Sequence, residues 1–253
     1  MKLGAQFYSI RTECQTHEDL YNSMNKIKNI GYEIIQISGV CDIEAEKLKA
    51  YSDEFALPIT CTHKPYDSIV NDTENLINYH KIIGCPVIGL GGMPKEYRTS
   101  LAGVRAFIDS IKTPIKKIQD AGLKFAYHNH AFEFEKVDGA RIFDVLFEEL
   151  PETDFIQDVY WSTFAGANTI EILEQIAKAG RMTNIHFKDM KEEPSGPICP
   201  CGEGVIDFVP LAKLCKKYGI ENILVEQDNA AMLGDVFEQM KSSFDHLNPI
   251  VHI

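Results

Sequence analysis

Short runs rich in β-branched and aromatic residues alternate along the chain with longer stretches in which apolar residues recur at helical spacing. Eight runs read as strands: Leu3 to Tyr8, Ile34 to Ser38, Ile59 to His63, Val87 to Leu90, Leu123 to His128, Phe155 to Asp158, Asn184 to Lys188 and Ile223 to Glu226. Each is followed by a segment with the helical pattern: His17 to Asn29, Ile43 to Phe55, Thr73 to Ile83, Tyr97 to Ala121, Gly139 to Leu150, Thr169 to Ala179, Phe208 to Tyr218 and Met232 to Leu247. Thr16 and Asp42 stand where N-caps are wanted, and Gly31, Gly84, Gly122, Gly180 and Gly219 follow helices where a left-handed C-cap favours glycine. Eight strand-helix repeats with no Pro/Gly/Ser-rich linker predict an α/β protein, a single (β/α)8 TIM barrel spanning residues 1–253 as one domain. The rival arrangement, an open doubly wound sheet, usually carries a glycine-rich phosphate loop after its first strand. Ser9-Ile10-Arg11-Thr12-Glu13 has no glycine there.

Composition narrows the partners more than the fold. A chain that is 45% hydrophobic and 25% charged builds an ordinary core. Its net charge of -12 disfavours nucleic acid, which calls for a basic surface. The N-terminus enters strand-like sequence with no apolar leader, and no apolar run approaches the roughly 18 to 20 residues of a membrane span, so a cytoplasmic protein without a membrane partner is expected. Seven mostly isolated cysteines suit reduced thiols, and Cys199-Pro200-Cys201 lacks the spacer of a structural zinc site. Homo-oligomerisation is compatible with the sequence and is not read from it.

In a barrel the active site forms at the C-terminal ends of the strands, and those ends are polar here. The first ends in Tyr8-Ser9-Ile10-Arg11, the third in Thr62-His63-Lys64, and the fifth in His128-Asn129-His130 followed by Glu133. The sixth ends in Gln157-Asp158-Val159-Tyr160-Trp161, the seventh in His186-Phe187-Lys188-Asp189 and the eighth in Glu226-Gln227-Asp228. Strand alternation puts His186 and Lys188 on one face and Phe187 on the other. Burial would raise the pKa of Glu226 at the end of an apolar strand unless a cation compensates. Asp158, His186 and Glu226, from three neighbouring strands, form a hard-to-borderline donor set suited to Mn2+, Co2+, Mg2+ or Zn2+, with a fourth ligand expected from the fifth strand. Plainer readings stand beside these: His186 as a satisfied structural histidine, Glu226 paired with Lys188, Arg11 and Lys64 as solvated loop charges, and Trp161 as rim packing instead of a platform for a sugar face.

In Gln6 to Arg11, Gly31-Tyr32, Tyr127-His128-Asn129-His130 with Glu133-Phe134, Asp158 to Trp161, His186 to Asp189, Gly202 to Phe208 and Val225 to Asp228, the chain resembles the sugar phosphate isomerase/epimerase family of xylose isomerase-like TIM barrels, in a subgroup with a YHNHxxEF segment. The resemblance implies proton abstraction beside a sugar carbonyl, with a divalent ion stabilising the enediolate. It also implies a metal set of Glu, Asp, His and Glu from strands five to eight. Asp158, His186 and Glu226 match, whereas His128 stands where the strand-five glutamate is usual and Glu133 lies five residues later, so either could be the fourth ligand. Catalytic roles then fall to Glu226, His128, Glu133, His130 and Lys188, and substrate contacts to Tyr8, Arg11, His63, Trp161 and Lys188.

Trp161 replaces a histidine found in many ketose epimerases. With the change at His128, this leaves room for a lyase or dehydratase on a keto-sugar, keto-inositol or 3-keto-glycoside, with His130 or His63 as general acid. An AP endonuclease of the same scaffold needs a three-metal cluster and a DNA groove, against which the acidic balance counts. A non-catalytic sugar-binding barrel is the remaining alternative.

Overall fold

Eight parallel strands close into a barrel in the computed structural model, which describes residues 1–252. They are β1 (Lys2–Gln6), β2 (Ile34–Ile37), β3 (Ile59–Lys64), β4 (Val87–Leu90), β5 (Lys124–His128), β6 (Asp154–Asp158), β7 (Met182–Phe187) and β8 (Asn222–Val225). Their hydrogen-bonded order follows the chain. β1 meets β8 through pairs such as Leu3 with Ile223 and Ala5 with Val225, which leaves the barrel sheet without a free edge.

The covering helices are α1 (His17–Ile30), α2 (Ala45–Glu54), α3 (Tyr66–Asn71), α4 (Thr73–Ile83), α5 (Leu101–Asp120), α6 (Ile142–Glu149), α7 (Val159–Phe164), α8 (Thr169–Lys178), α9 (Phe208–Tyr218) and α10 (Val236–Val251). Thr16 and Asp19 make a reciprocal capping box on α1, and Gly84 and Gly219 end α4 and α9 in the left-handed conformation. Capping chemistry also explains where the helices depart from the periodicity. Ser100 accepts from Gly103 N and starts α5 at Leu101, after a short 3-10 turn, instead of at Tyr97. Asp235 accepts from Phe237 N and Glu238 N, so α10 starts at Val236 and runs to Val251. Asp42 is not a cap, because α2 begins at Ala45 after Glu44. α3 and α7 carry no periodic signal, since six residues make less than two turns.

Apolar residues fill the space between barrel and helices, and a separate small cluster of Cys61, Val87, Ala126 and Ile156 sits on four neighbouring strands. Two residues further along three of these strands come His63, His128 and Asp158. Period-two alternation therefore carries one column of side chains from an apolar layer into a polar one. Gly89 takes that place on β4, where a Cβ would lie 2.3 Å from Thr62 O and 3.0 Å from the His63 ring. The close approach demands glycine. Among the described residues no helix is long and apolar enough to cross a membrane.

Candidate active site

Four strands deliver one donor each to the barrel mouth. His128 ends β5 and Asp158 ends β6, where it also caps α7 by accepting from Trp161 N at 3.1 Å. His186 lies within β7, and Glu226 follows β8, continuing the pairing through its own N–H to Phe187 O at 3.1 Å. One ligand atom from each of His128, Asp158, His186 and Glu226 falls within 4.8 Å of all the others, and all four residues are buried. His128 Nε2 is 3.5 Å from Asp158 Oδ2 and 4.0 Å from Glu226 Oε2. His186 Nδ1 is 3.0 Å from Glu226 Oε2 and 3.9 Å from Asp158 Oδ2.

The far sides of these groups are held by neighbours. His186 Nε2 lies 2.8 Å from Gln36 Oε1 across the barrel. The Asn129 amide clamps β5 to β6, its Oδ1 accepting from Asp158 N at 3.0 Å and its Nδ2 donating to Asp158 O at 3.3 Å. His128 Nε2, by contrast, is buried with no hydrogen-bond partner among the described residues, and it faces Asp158 Oδ2 at 3.5 Å across the same small space. Unmet buried polar atoms are costly, and a pair of imidazoles with two carboxylates is a donor set that borderline divalent ions accept. The four residues fit a divalent metal ion on both counts.

Lys188 brings the second electrostatic feature. Its buried ammonium lies 2.8 Å from Glu226 Oε2, 2.9 Å from Asp158 Oδ2 and 3.2 Å from Asp228 Oδ1. The Glu226 carboxylate that pairs with Lys188 is thus also one of the four donors that could hold a metal, two readings that stood as alternatives in the sequence. Three carboxylates against one ammonium leave negative charge to be balanced. Burial opposes ionisation of Lys188, yet Asp158, Glu226 and Asp228 hold its pKa well above the ordinary value. Burial likewise opposes the Glu226 carboxylate, and Lys188 and His186 hold it well below the usual range. Burial pushes Asp228 up to about 6. It also lowers His128 to about 3, with His186 adding to the effect, and His130 to about 3, so these rings are neutral, as a metal ligand must be.

A cavity of about 370 Å³ opens above the four donors, lined by Tyr8, Ser38, His63, His130, Lys188 and Asp228 among others. The His63 ring lies 5.0 Å from that of His128, and His130 lies 4.8 Å from His128 and 5.5 Å from half-buried Trp161. His63 Nε2, His130 Nδ1 and Trp161 Nε1 all lack a partner among the described residues. Tyr8 is 37% exposed at the mouth. Arg11 stacks on it at 4.0 Å and donates to Tyr8 O and Asp228 O, so its guanidinium braces the rim.

Glu133 is brought to a different place from the four donors. Its Oε1 accepts from the Tyr127 hydroxyl at 2.6 Å and its Oε2 from His130 N at 2.7 Å, which locks the turn after β5. Burial pushes its pKa up to about 7. Of the two strand-five candidates, His128 joins the group of four.

Sequence reasoning overlooked Gln36, although a lone polar residue in the apolar run Ile34-Ile35-Gln36-Ile37 was a usable signal. It also assigned no role to Asp189. That carboxylate accepts four backbone N–H groups, from Met190 and Ile206 on Oδ1 and from Gly202 and Gly204 on Oδ2, at 2.8 to 3.1 Å. A Cβ on Gly204 would lie 2.4 Å from Asp189 Oδ1, which explains the glycine.

The sequence model of the xylose isomerase-like TIM barrels matches residues 24–248. A sugar phosphate isomerase/epimerase from Parabacteroides distasonis has a similar structure, with a TM-score of 0.82 at 21% identity over 99% of this chain and 95% of that one. An L-ribulose 3-epimerase superposes with a TM-score of 0.76 at 12% identity, covering 99% and 94%. The probable 3-DHS dehydratase of petrobactin synthesis from Bacillus anthracis does so with 0.76 at 13%, covering 98% and 99%. No curated protein matches the chain. At such identities the structural likenesses speak for the fold, and the family match covers most of the sequence: the chain belongs to the xylose isomerase-like TIM barrel family.

Proposed function

We propose that the protein is a divalent-metal-dependent isomerase or epimerase of a sugar or sugar derivative, working by proton transfer at the carbon beside a carbonyl. One observation carries the reading: His128, Asp158, His186 and Glu226 converge within 4.8 Å, with His128 and Glu226 on the wall of an open cavity, and the Lys188 ammonium touches two of their oxygens. A divalent ion held by these four residues supplies Lewis-acid polarisation of the carbonyl and offsets the charge left when the neighbouring proton departs.

The chain's own groups do the rest. Glu226 binds His186 and Lys188 through Oε2, and its Oε1 makes no hydrogen bond among the described residues, so that oxygen is the proton acceptor we assign. Lys188 presents a fixed positive charge to an oxyanion on the substrate. His63 and His130, neutral and with unmet nitrogens at the cavity, hydrogen-bond substrate hydroxyls, and the Trp161 ring, 5.5 Å from that of His130, backs the latter. Structurally similar proteins named as an isomerase/epimerase and as a 3-epimerase support this choice of reaction.

Incubation of candidate ketoses and aldoses with the Mn2+-loaded protein in D₂O tests it. The expected product carries one solvent deuterium beside the carbonyl, and Glu226→Gln forms none. Loss of water or of an aglycone from the substrate would instead make the enzyme a lyase, and turnover unaffected by a chelator would remove the metal from the scheme.

A further inference from the structure

Two cavities meet at the end of β3. The one above the four donors and a second of about 350 Å³ share His63, Lys64 and Pro65 as a common wall, and the second extends to Asp42 and Tyr79. The cations near these spaces are not equivalent. Lys188 has three carboxylates on its ammonium. Arg11 spends its guanidinium on the carbonyl oxygens of Tyr8 and Asp228.

Half-buried Lys64 makes neither an ion pair nor a hydrogen bond among the described residues, and its ammonium lies over the Tyr79 ring, 4.6 Å from the centroid. Asp42, exposed on the outer side of the second cavity, stays beyond ion-pair distance. A ring face supplies some attraction, yet the three N–H donors of Lys64 have no acceptor among the described residues, and an unpaired ammonium on a cavity wall is open to an anion. Burial pulls its pKa below the ordinary lysine value, further than the more distant charge of Asp42 restores it. Ser38, buried at the end of β2, adds to the first cavity a hydroxyl that makes no hydrogen bond among the described residues.

We propose that Lys64, with the Ser38 hydroxyl on the wall of the same cavity, forms an anion subsite for a substrate carboxylate, so that the enzyme acts on a sugar acid in preference to a neutral sugar. The inference rests on the cavity being a sugar site, as argued above. Charge favours a carboxylate over a phosphate. One unmatched ammonium balances one negative charge, whereas a phosphate monoester carries about -1.5 to -2 at neutral pH. The protein's net charge of -12 adds a field that repels dianions more strongly.

The test is NMR of the whole protein after reductive ¹³C-methylation of its lysines, with the Lys64 resonance identified by its loss in Lys64→Arg. D-glucuronate, D-fructose 6-phosphate and D-fructose are titrated at constant ionic strength in the presence of a chelator. The Lys64 resonance should shift saturably with glucuronate and not with fructose. By calorimetry Lys64→Met should bind glucuronate at least about tenfold more weakly than wild type, the expected loss for one charge-assisted hydrogen bond. A saturable shift with fructose 6-phosphate alone would overturn the carboxylate assignment, and none with either anion would overturn the subsite. Because the chelator removes metal but not Lys64, anion binding without deuterium exchange would sink only the isomerase reading, and exchange without anion binding only the subsite.

Discussion

His80 and His128 are both buried, and their surroundings differ in kind. His80, between α4 and β3, has Nε2 2.7 Å from the Thr62 hydroxyl and Nδ1 2.6 Å from Leu76 O. His128, at the barrel mouth, has Nδ1 3.4 Å from Gly91 O and an Nε2 with no partner among the described residues. The first is a finished structural histidine. The second keeps a nitrogen aimed at two carboxylates. A buried histidine is therefore informative through what its nitrogens lack, because burial is the main cause that lowers the pKa of both, to about 4 and about 3.

The largest test of this contrast removes the cation that the unfinished region already contains. Lys188→Met leaves Asp158 and Glu226 buried without their ammonium and should destabilise the metal-free protein by about 3–5 kcal/mol in denaturant unfolding. Added Mn2+ should recover part of that loss, and no recovery would count against a metal at these residues.

Acid should act on the finished region next. His80 has a folded pKa of about 4 against an ordinary value of 6.5, so the unfolded chain binds the proton more readily between the two. Its contribution is full above about pH 6.5 and is lost as pH falls towards 4, amounting to about 3 kcal/mol. The difference between wild-type and His80→Gln unfolding curves over that window isolates it, and parallel curves would show that His80 does not titrate on unfolding.

Metal should then separate the two histidines directly. At a free Mn2+ concentration about 100 times Kd, wild type should gain roughly 2.7 kcal/mol. His80→Gln should retain the gain, His128→Ala should lose it, and a chelator should reverse it. The smallest effect is expected at Glu133→Gln, within about 1 kcal/mol at pH 7 because one hydrogen bond is lost while a costly buried carboxylate is removed. Its metal uptake, followed by calorimetry, should match wild type. A large drop would place Glu133 among the ligands after all.

Much of this molecule was legible in the sequence. Val87–Leu90, Thr73–Ile83 and Phe208–Tyr218 fall where the hydrophobic pattern puts them, since both strand alternation and helical spacing are local properties. The polar strand ends were legible for the same reason, and they named all four members of the group. What was not legible was which plain reading belonged to which residue. The Glu226 pairing with Lys188 and its place beside His128 and Asp158 hold together, and the choice between His128 and Glu133 turns on a hydrogen bond to the Tyr127 hydroxyl.

The sequence by itself determined the elements, their order and the residues at each strand end, because period and capping are written within a few residues of chain. The closed barrel decided which polar atoms meet. Gln36 reaches His186 from 150 positions away, and Ser9 supports Gln227 N from 218 away. No local pattern encodes such contacts. They exist only once β1 pairs with β8, and it is that closure which gathers the polar groups at the mouth and leaves an open valence there, whereas His80 is satisfied by nearby Thr62 and Leu76.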